Sequence, residues 1–166
     1  MTDLSVTPCR SRDEWSLAAS VVTEYLDWLG QASGVGDVAA VQPKAAAERT
    51  NLASVYGGPD DAFFLARREA RAVGVVGVLL VDARSVEIAR LYVRPAARAA
   101  GAGRRLVTAA LDHARRVGAE RVVLDTHGTV MPRAVDLYRT FGFVTTDEPS
   151  AIPVRGALRM VLPLAA

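Results

Sequence analysis

A pattern of strand, helix and strand between residues 86 and 126 places the strongest constraint on the fold. Residues 86–93 are rich in β-branched and apolar side chains, which is typical of a strand. Residues 103–117 carry apolar side chains at helical spacing, and Gly118 can end that helix. Residues 121–126 form a second β-branched run. Because strands joined by a helix pair in parallel with a right-handed connection, the sequence predicts such a crossover here.

Short turns around this crossover predict antiparallel strands. Strand-like runs at 62–67 and 72–81 precede the strand at 86–93, with turns of four residues between them. Turns this short join antiparallel neighbours. Two final strands, at 143–146 and 158–162, are joined by a loop that contains proline. The sequence therefore predicts a mixed sheet, in which an antiparallel meander leads into the crossover and a hairpin closes the chain.

The first third of the chain reads as helical. Ser11 or Asp13 can cap a helix that runs to about Leu29, with Gly30 just past its end. A second helix is predicted over 37–56, with a break at its proline.

Length and charge limit the class of protein. The 166 residues suit a single domain over residues 1–166. The net charge is +2, and Lys44 is the single lysine among 20 basic residues. The arginines are scattered among acids rather than concentrated on one face. The sequence therefore predicts no nucleic-acid partner.

Membrane and metal chemistry are not expected from the sequence. No apolar run approaches the roughly 20 residues that a membrane-spanning helix needs, and the first residues lack the pattern of a signal peptide. Cys9 is the only cysteine, which excludes an intramolecular disulfide and a thiolate metal cluster. We expect a cytoplasmic protein without a membrane partner and without a metal.

The turn at residues 98–103 has the features of an anion site. Gly101 and Gly103 permit a tight turn whose backbone amides point into one concavity. The helix that begins near Gly103 adds partial positive charge at its N-terminus. Full charges nearby come from Arg98, Arg104 and Arg105. These features favour a diphosphate as the bound group.

Two common phosphate motifs do not fit this turn. A P-loop needs Gly-Lys-Ser/Thr, whereas Gly103 is followed by two arginines. A dinucleotide fingerprint needs a third glycine where Leu106 stands, and a crossover that opens the fold. Taken alone, two glycines separated by one residue also fit an ordinary turn before a helix.

The neighbouring residues carry a family resemblance. The run Glu87-Ile88-Ala89-Arg90-Leu91-Tyr92-Val93-Arg94-Pro95, followed by Arg98-x-x-Gly101-x-Gly103, resembles the signature of the GNAT superfamily of N-acetyltransferases. The run Leu137-Tyr138-Arg139-Thr140-Phe141-Gly142-Phe143 resembles it too, so the likeness covers about residues 60–162. It implies an α/β (α+β) fold with a mixed, mostly antiparallel sheet of six to seven strands and about four helices. A central parallel pair would be splayed for the cofactor.

The resemblance implies acetyl-CoA as the acetyl donor. The backbone of Leu91, Tyr92 and Val93 would pair with the pantetheine arm, and the Val93 amide would face the thioester carbonyl. Arg104 would lie beside the pyrophosphate. The backbone amides that would hold the pyrophosphate are those of Arg98, Ala99, Ala100, Gly101, Ala102 and Gly103.

Two residues are candidates for proton transfer. Glu87 is the candidate base, because histone-modifying members of the family carry their catalytic glutamate at this spacing; a structural ion pair is the alternative. Tyr138 is the candidate acid, since the family commonly places a tyrosine near the sulfur; packing is the alternative. His127, which follows the second parallel strand, is a second candidate base; an exposed loop histidine is the alternative. Strict alternation along the strand predicts Glu87, Ala89, Leu91 and Val93 on one face, with Arg90 and Tyr92 on the other.

The acceptor is less constrained than the donor. Tyr25 and Trp28 lie one helical turn apart, and we interpret them as core residues, with an aromatic wall of the acceptor site as the alternative. Met131 stands where many members carry an asparagine that bonds the pantetheine, so that contact is not expected here. The resemblance also allows a homodimer.

The sequence therefore predicts direct attack of a primary amine on acetyl-CoA in a ternary complex. A small molecule or amino acid is favoured as the acceptor over a large protein, because the chain has no additional recognition module. The alternative is a non-catalytic acetyl-CoA sensor or regulatory subunit with the same fold.

Overall fold

The computed structural model describes residues 3–165 of the chain. Its strands are β1 (Leu4–Pro8), β2 (Ala62–Arg68), β3 (Arg71–Leu80), β4 (Ser85–Val93), β5 (Arg121–His127), β6 (Val144–Thr145) and β7 (Ala157–Pro163). Its α-helices are α1 (Arg12–Ala32), α2 (Lys44–Thr50), α3 (Leu52–Tyr56), α4 (Ala102–Arg116) and α5 (Pro132–Thr140). Single 3-10 turns lie at Val38–Ala40 and Pro95–Ala97.

All of these strands belong to one sheet, in the order β1-β2-β3-β4-β5-β7-β6. Neighbouring strands are antiparallel except for β4 and β5, which are parallel and joined through α4. The predicted meander, crossover and closing hairpin are therefore confirmed, as is the mixed, mostly antiparallel class.

Helices cover both faces of the sheet. On one face, Leu106 and Ala110 of α4 are buried in a core with Val122 of β5. On the other face, Leu26 of α1 is buried in a second core with Val75 of β3. Because both faces are covered, the central strands can be apolar along most of their length.

The first helix begins as predicted but ends later. Ser11 caps it, since the Ser11 hydroxyl accepts a hydrogen bond from the Glu14 amide at 3.1 Å. Gly30 lies inside the helix, so the prediction that Gly30 follows its end is wrong. The Gly36 amide donates to the Gly30 carbonyl at 2.8 Å, and a Cβ at position 30 would collide with the Gly36 carbonyl oxygen. Gly30 therefore allows the following loop to fold back onto the helix.

The single helix predicted over 37–56 is wrong in detail. The segment forms a 3-10 turn and then two short helices, with Pro43 directly before α2. Asn51 separates the two helices with φ −155° and ψ 82°, and its side chain accepts a hydrogen bond from the Ser54 amide at 3.2 Å. The asparagine side chain thus replaces a helical backbone hydrogen bond and starts a new helix.

No helix within residues 3–165 combines the length and apolar character that crossing a bilayer requires. In the same range, no group of three or more His, Cys, Asp or Glu side chains is arranged to hold a metal ion. Cys9 is buried, and burial raises the pKa of its thiol to about 12.

Candidate active site

The parallel strands β4 and β5 separate part-way along their length. Their pairing runs from Ser85 opposite Arg121 to Glu87 opposite Val123 and then stops, although both strands continue. Beyond Glu87, one edge of β4 therefore has no neighbouring strand within residues 3–165. A cleft opens there between β4, the N-terminus of α4 and the segment that leads into α5.

A β-bulge in β4 changes which side chains face each side of the sheet. Two residues of β4, Arg90 and Leu91, lie opposite a single residue of β3, Val76. Arg90 has a φ of 58°, a left-handed conformation that is uncommon for any residue other than glycine. An additional residue in one strand shifts the alternation of the side chains that follow it.

The prediction of strict alternation along this strand is therefore wrong. The faces differ because the bulge adds one residue between Ala89 and Tyr92. The side that faces α1 and α2 carries Glu87, Ala89, Arg90 and Tyr92. The side that faces α4 carries Leu91 and Val93.

The bulge is held by a buried ion pair. The Arg90 guanidinium donates to both carboxylate oxygens of Glu48, at 2.7 and 2.8 Å. The Tyr56 hydroxyl donates to the same carboxylate at 3.1 Å. Burial acts to lower the pKa of Arg90, but the hydrogen bonds and charge of Glu48 outweigh it and raise that pKa. Glu48 is 0% exposed, so its carboxylate has these protein donors in place of water.

A first cavity of about 530 Å³ occupies the cleft on the open edge of β4. Its walls are the end of β4, the turn before α4 and the first turns of α5. Most of the residues predicted to bind the cofactor line it, namely Leu91, Tyr92, Val93, Arg98, Ala99, Gly101, Ala102 and Gly103. The structure thus brings two separate parts of the predicted site to one cavity.

In the turn at residues 98–103, the Arg98 amide already donates to the Pro95 carbonyl at 3.3 Å, so the amides that can face this cavity begin at Ala99. Ala99 has a φ of 67° and Gly101 a φ of 83°, so the chain reverses sharply before α4. Among the described residues, no side chain caps the N-terminus of α4, and the first helical hydrogen bond is donated by the Arg105 amide to the Gly101 carbonyl. The amides before Arg105 therefore lack helical partners and can bind an anion.

The end of β4 directs a backbone amide into the same cavity. The Arg94 amide donates to the Val73 carbonyl of β3 at 2.8 Å. Because successive residues of a strand direct their amides to opposite edges, the Val93 amide points to the edge that β5 has left. The Val93 carbonyl accepts a hydrogen bond from Arg98 Nε at 3.0 Å.

Two predicted cofactor residues lie away from the cavity wall. Ala100 is exposed at the turn. Arg104 donates to the Thr140 hydroxyl at 3.0 Å, and its guanidinium lies 5.0 Å from the centre of the Phe141 ring. Arg133, by contrast, lines the cavity at the start of α5, and sequence reasoning missed it because no motif residue marks that position.

A second cavity of about 350 Å³ lies on the α1 and α2 side of the sheet. Loops that contain Val35 and Ile152 form its outer walls, and Glu87 and Asp125 lie on its floor. Sequence reasoning did not predict these loops as neighbours, because they are more than 100 residues apart in the chain.

Glu87 faces the second cavity and forms a loose ion pair. Its Oε1 lies 3.5 Å from Lys44 Nζ, and the two side chains are 24% and 37% exposed, respectively. Both residues line the cavity. A carboxylate in this place can accept a proton from a group bound in the cavity.

His127 lines the same cavity in a fixed orientation. The Val130 amide donates to His127 Nδ1 at 3.1 Å. The neutral ring therefore carries its proton on Nε2, which makes Nε2 a donor. Glu87 is the better placed proton acceptor of the two.

Tyr138 is buried in the last turn of α5. Its ring packs against Phe143 with the ring centres 5.6 Å apart, and it is 5% exposed. Burial, together with the nearby Tyr25, raises the pKa of Tyr138, so its phenol stays protonated. The Tyr138 side chain is not part of the wall of either cavity.

Met131 lies on the wall that the two cavities share. The hydroxyl of Tyr25 donates to Met131 Sδ at 3.6 Å. Tyr25 lines the second cavity and Trp28 the first, and the Tyr25 ring also stacks on Tyr92 at 5.2 Å between centres. The two aromatic residues of α1 are therefore both packed and adjacent to a cavity.

Known proteins similar to this chain are acetyltransferases. A model of the acetyltransferase (GNAT) family matches residues 21–143. An N-acetyltransferase of Schizosaccharomyces pombe is 36% identical over 117 residues, which cover 69% of this chain and 71% of that protein. N-acetyltransferase 8 of Homo sapiens is 30% identical over 139 residues, which cover 81% of this chain but 55% of that protein. The chain thus spans little more than half of the human relative.

Solved structures show the same fold. The PaiA N-acetyltransferase of Thermoplasma acidophilum, solved in complex with coenzyme A, has a TM-score of 0.74 at 15% identity. The match covers 98% of this chain and 99% of that one. At that identity the likeness concerns the fold alone.

Proposed function

This chain belongs to the acetyltransferase (GNAT) family and is an acyltransferase, and we propose that it transfers the acetyl group of acetyl-CoA to a primary amine. The observation that carries this proposal is the meeting of two cavities at Met131. One cavity offers backbone amides and an open strand edge to a donor, and the other offers a carboxylate to an amine. Two substrates bound in this way would react directly with one another.

The first cavity suits acetyl-CoA. The uncapped amides at the start of α4 match a pyrophosphate, and Arg98 and Arg133 add positive charge to the wall. The open edge of β4 offers the Val93 amide to a chain that lies alongside it, as an added strand does. Coenzyme A is also the group bound to the Thermoplasma acidophilum neighbour.

The second cavity suits the acceptor. When bound, acetyl-CoA supplies the thioester carbonyl carbon that the amine nitrogen attacks. Glu87 accepts the proton that the amine loses. The Val93 amide donates a hydrogen bond to the carbonyl oxygen as negative charge develops on it.

Tyr138 is the proposed proton donor to the departing sulfur. The product is then an N-acetylated amine and free coenzyme A. Burial raises the pKa of Tyr138, so the phenol carries a proton at neutral pH, as a donor must. Tyr138 also lies near enough to Tyr25 for Tyr25 to contribute to the raised pKa, and Tyr25 contacts the shared wall at Met131.

The proposal is tested in two stages. Thermal unfolding is first followed with and without acetyl-CoA, with adenosine as the ligand control, and acetyl-CoA is expected to raise Tm. Release of free thiol is then measured across a panel of amines with acetyl-CoA present. The absence of any Tm shift would overturn the donor assignment, and a shift without turnover of any amine would overturn the acceptor assignment.

A further inference from the structure

The second cavity holds three ion pairs of unequal strength. Four charged side chains line it: Lys44, Glu87, Arg90 and Asp125. Arg90 is held by Glu48 through two hydrogen bonds of 2.7 and 2.8 Å. Asp125 is held by Arg159 through two hydrogen bonds of 3.2 and 3.1 Å. Two of the four charges are therefore committed to partners inside the protein.

The remaining pair is Lys44 and Glu87, and it is loosely held. It has one contact of 3.5 Å, and both side chains are partly exposed. Lysine carries its charge on a long, flexible stem that can exchange partners without moving the backbone. A ligand that offers one positive and one negative group can therefore replace this contact with two stronger ones.

The rest of the cavity is largely apolar. Its outer wall carries Leu29, Val35, Val38, Ile152 and Val154. These residues come from the end of α1, the loop after it and the loop before β7, and they line the same cavity as the Lys44–Glu87 pair. An apolar group of a ligand would be removed from water among them.

We infer that the acceptor is an α-amino acid with an apolar side chain, and that Lys44 binds its carboxylate. This inference rests on the proposed function. The two charged groups of an α-amino acid are attached to the same carbon, and they match the adjacent charges of Glu87 and Lys44 with opposite sign. The ammonium group faces Glu87, the carboxylate faces Lys44, and the side chain lies against the apolar wall.

Binding of this acceptor also prepares Glu87 for its role. When Lys44 turns to the substrate carboxylate, Glu87 exchanges its only ion-pair partner among residues 3–165 for the substrate ammonium group. The ammonium group gives one proton to the Glu87 carboxylate, and the free amine forms the new C–N bond as the C–S bond breaks. After attack, the nitrogen loses a second proton. The departing thiolate takes up one proton, so these two transfers balance.

Other amines fit the cavity less well. A polyamine would bring a second positive charge towards Lys44, which costs energy. A lysine side chain of a protein has no carboxylate next to its amine, so Lys44 would keep Glu87 as its partner. The pairing of one cation with one anion therefore selects a zwitterion.

The test compares acceptors that differ only in the carboxylate. The pairs are leucine with 3-methylbutylamine and phenylalanine with 2-phenylethylamine, each measured by thiol release with saturating acetyl-CoA. The wild-type enzyme is expected to prefer the amino acid of each pair. In Lys44→Met, the ratio of kcat/KM for acid over amine is expected to fall by about 10- to 100-fold, the worth of a hydrogen bond to a charged group. Lys44→Arg is expected to retain most of the preference.

A matched control lies on the same helix. Arg49 of α2 pairs with Asp27 at 2.7 Å outside the cavity, so Arg49→Met should leave the ratio unchanged. A wild-type enzyme that uses amines without preferring the amino acid would overturn this inference and leave the proposed function in place. So would a Lys44→Met ratio equal to that of the wild type. An enzyme that uses no amine at all would overturn both.

Discussion

The hydroxyl of Tyr25 donates a hydrogen bond to Met131 Sδ at 3.6 Å, on the wall that the two cavities share. A residue of the first helix is thereby joined to the segment before α5. This contact places both proposed substrates next to one side chain. The position of Met131 therefore yields the first prediction.

Met131→Ala should raise KM for both acetyl-CoA and the amine by about tenfold, because it removes an apolar side chain that both substrates would contact. Initial-rate kinetics with each substrate varied in turn measures this. Val130→Ala is the matched control, since Val130 lines only the first cavity, and it should affect acetyl-CoA alone. An effect of Met131→Ala on only one substrate would contradict the shared wall.

Glu87→Gln should lower kcat/KM for the amine by about 10²- to 10⁴-fold, the usual worth of a general base. Because Glu87 lines the second cavity and not the first, the Kd for acetyl-CoA should not change. Steady-state kinetics and calorimetric titration measure the two quantities. An unchanged kcat/KM would remove Glu87 from the mechanism.

Tyr138→Phe should lower kcat more than it raises KM, because the substitution removes the proposed proton donor while keeping the ring that packs on Phe143. The pH profile gives a second readout. A tyrosine with its ordinary pKa loses its proton near pH 10, but burial raises the pKa of Tyr138. The wild-type kcat should therefore not fall through that range. A wild-type loss of kcat near pH 10 that is absent in Tyr138→Phe would contradict the raised pKa.

Gly101→Ala should weaken acetyl-CoA binding by at least about tenfold. Gly101 has a φ of 83°, where an alanine is strained by roughly 1–2 kcal/mol, and relief of this strain would move the amides of the turn. Gly118→Ala is a close control, because Gly118 has a φ of 81° at the other end of α4, and no atom lies within 4 Å of a Cβ at either position. Calorimetric titration should find weaker binding in the first variant only, and equal losses would argue against the turn as a cofactor site.

Glu48→Gln should lower the free energy of unfolding by about 3–5 kcal/mol, because it leaves the buried Arg90 charge without its partner. Denaturant unfolding measures this loss. Asp27→Asn is the control, since the Asp27 side chain is 63% exposed and pairs with Arg49 near the surface, and that change should cost less than about 1 kcal/mol. Similar decreases in the free energy of unfolding of the two variants would contradict the expected contribution of the buried Arg90–Glu48 pair.

The sequence predicted the order of the elements well, because each strand and helix of the crossover has a strong local pattern. Residues 103–117 have helical spacing, and the two flanking runs are apolar and β-branched, so their types did not depend on distant contacts. The turn at Gly101 also carried its own signal, since glycine is the residue that accepts its left-handed φ.

The bulge in β4 could not be predicted in this way. Arginine gives no local signal for a left-handed conformation, and Arg90 is held there by Glu48, which lies 42 residues earlier in the chain. The error reversed the expected faces for Leu91 and Val93. Likewise, Gly30 appeared to end a helix because its contact with Gly36 depends on the folded loop.

The second cavity depends even more on tertiary structure. Lys44 and Glu87 become neighbours only when α2 packs on the sheet. The sequence around Lys44, the single lysine of the chain, therefore does not predict its place in a cavity. A contact between side chains 43 residues apart, such as Lys44 and Glu87, has no local sequence pattern from which it could be predicted.

The most direct measurement of the central claim uses acetyl-CoA with a ¹³C-labelled acetyl group and an amine acceptor such as leucine. Mass spectrometry follows the labelled N-acetyl product while thiol release is recorded in the same reaction. We predict one labelled N-acetyl product for each molecule of coenzyme A released. In Glu87→Gln, the rates of product formation and of coenzyme A release should fall by the same factor. Release of coenzyme A without a labelled N-acetyl product from any amine of the panel would contradict transfer between the two cavities.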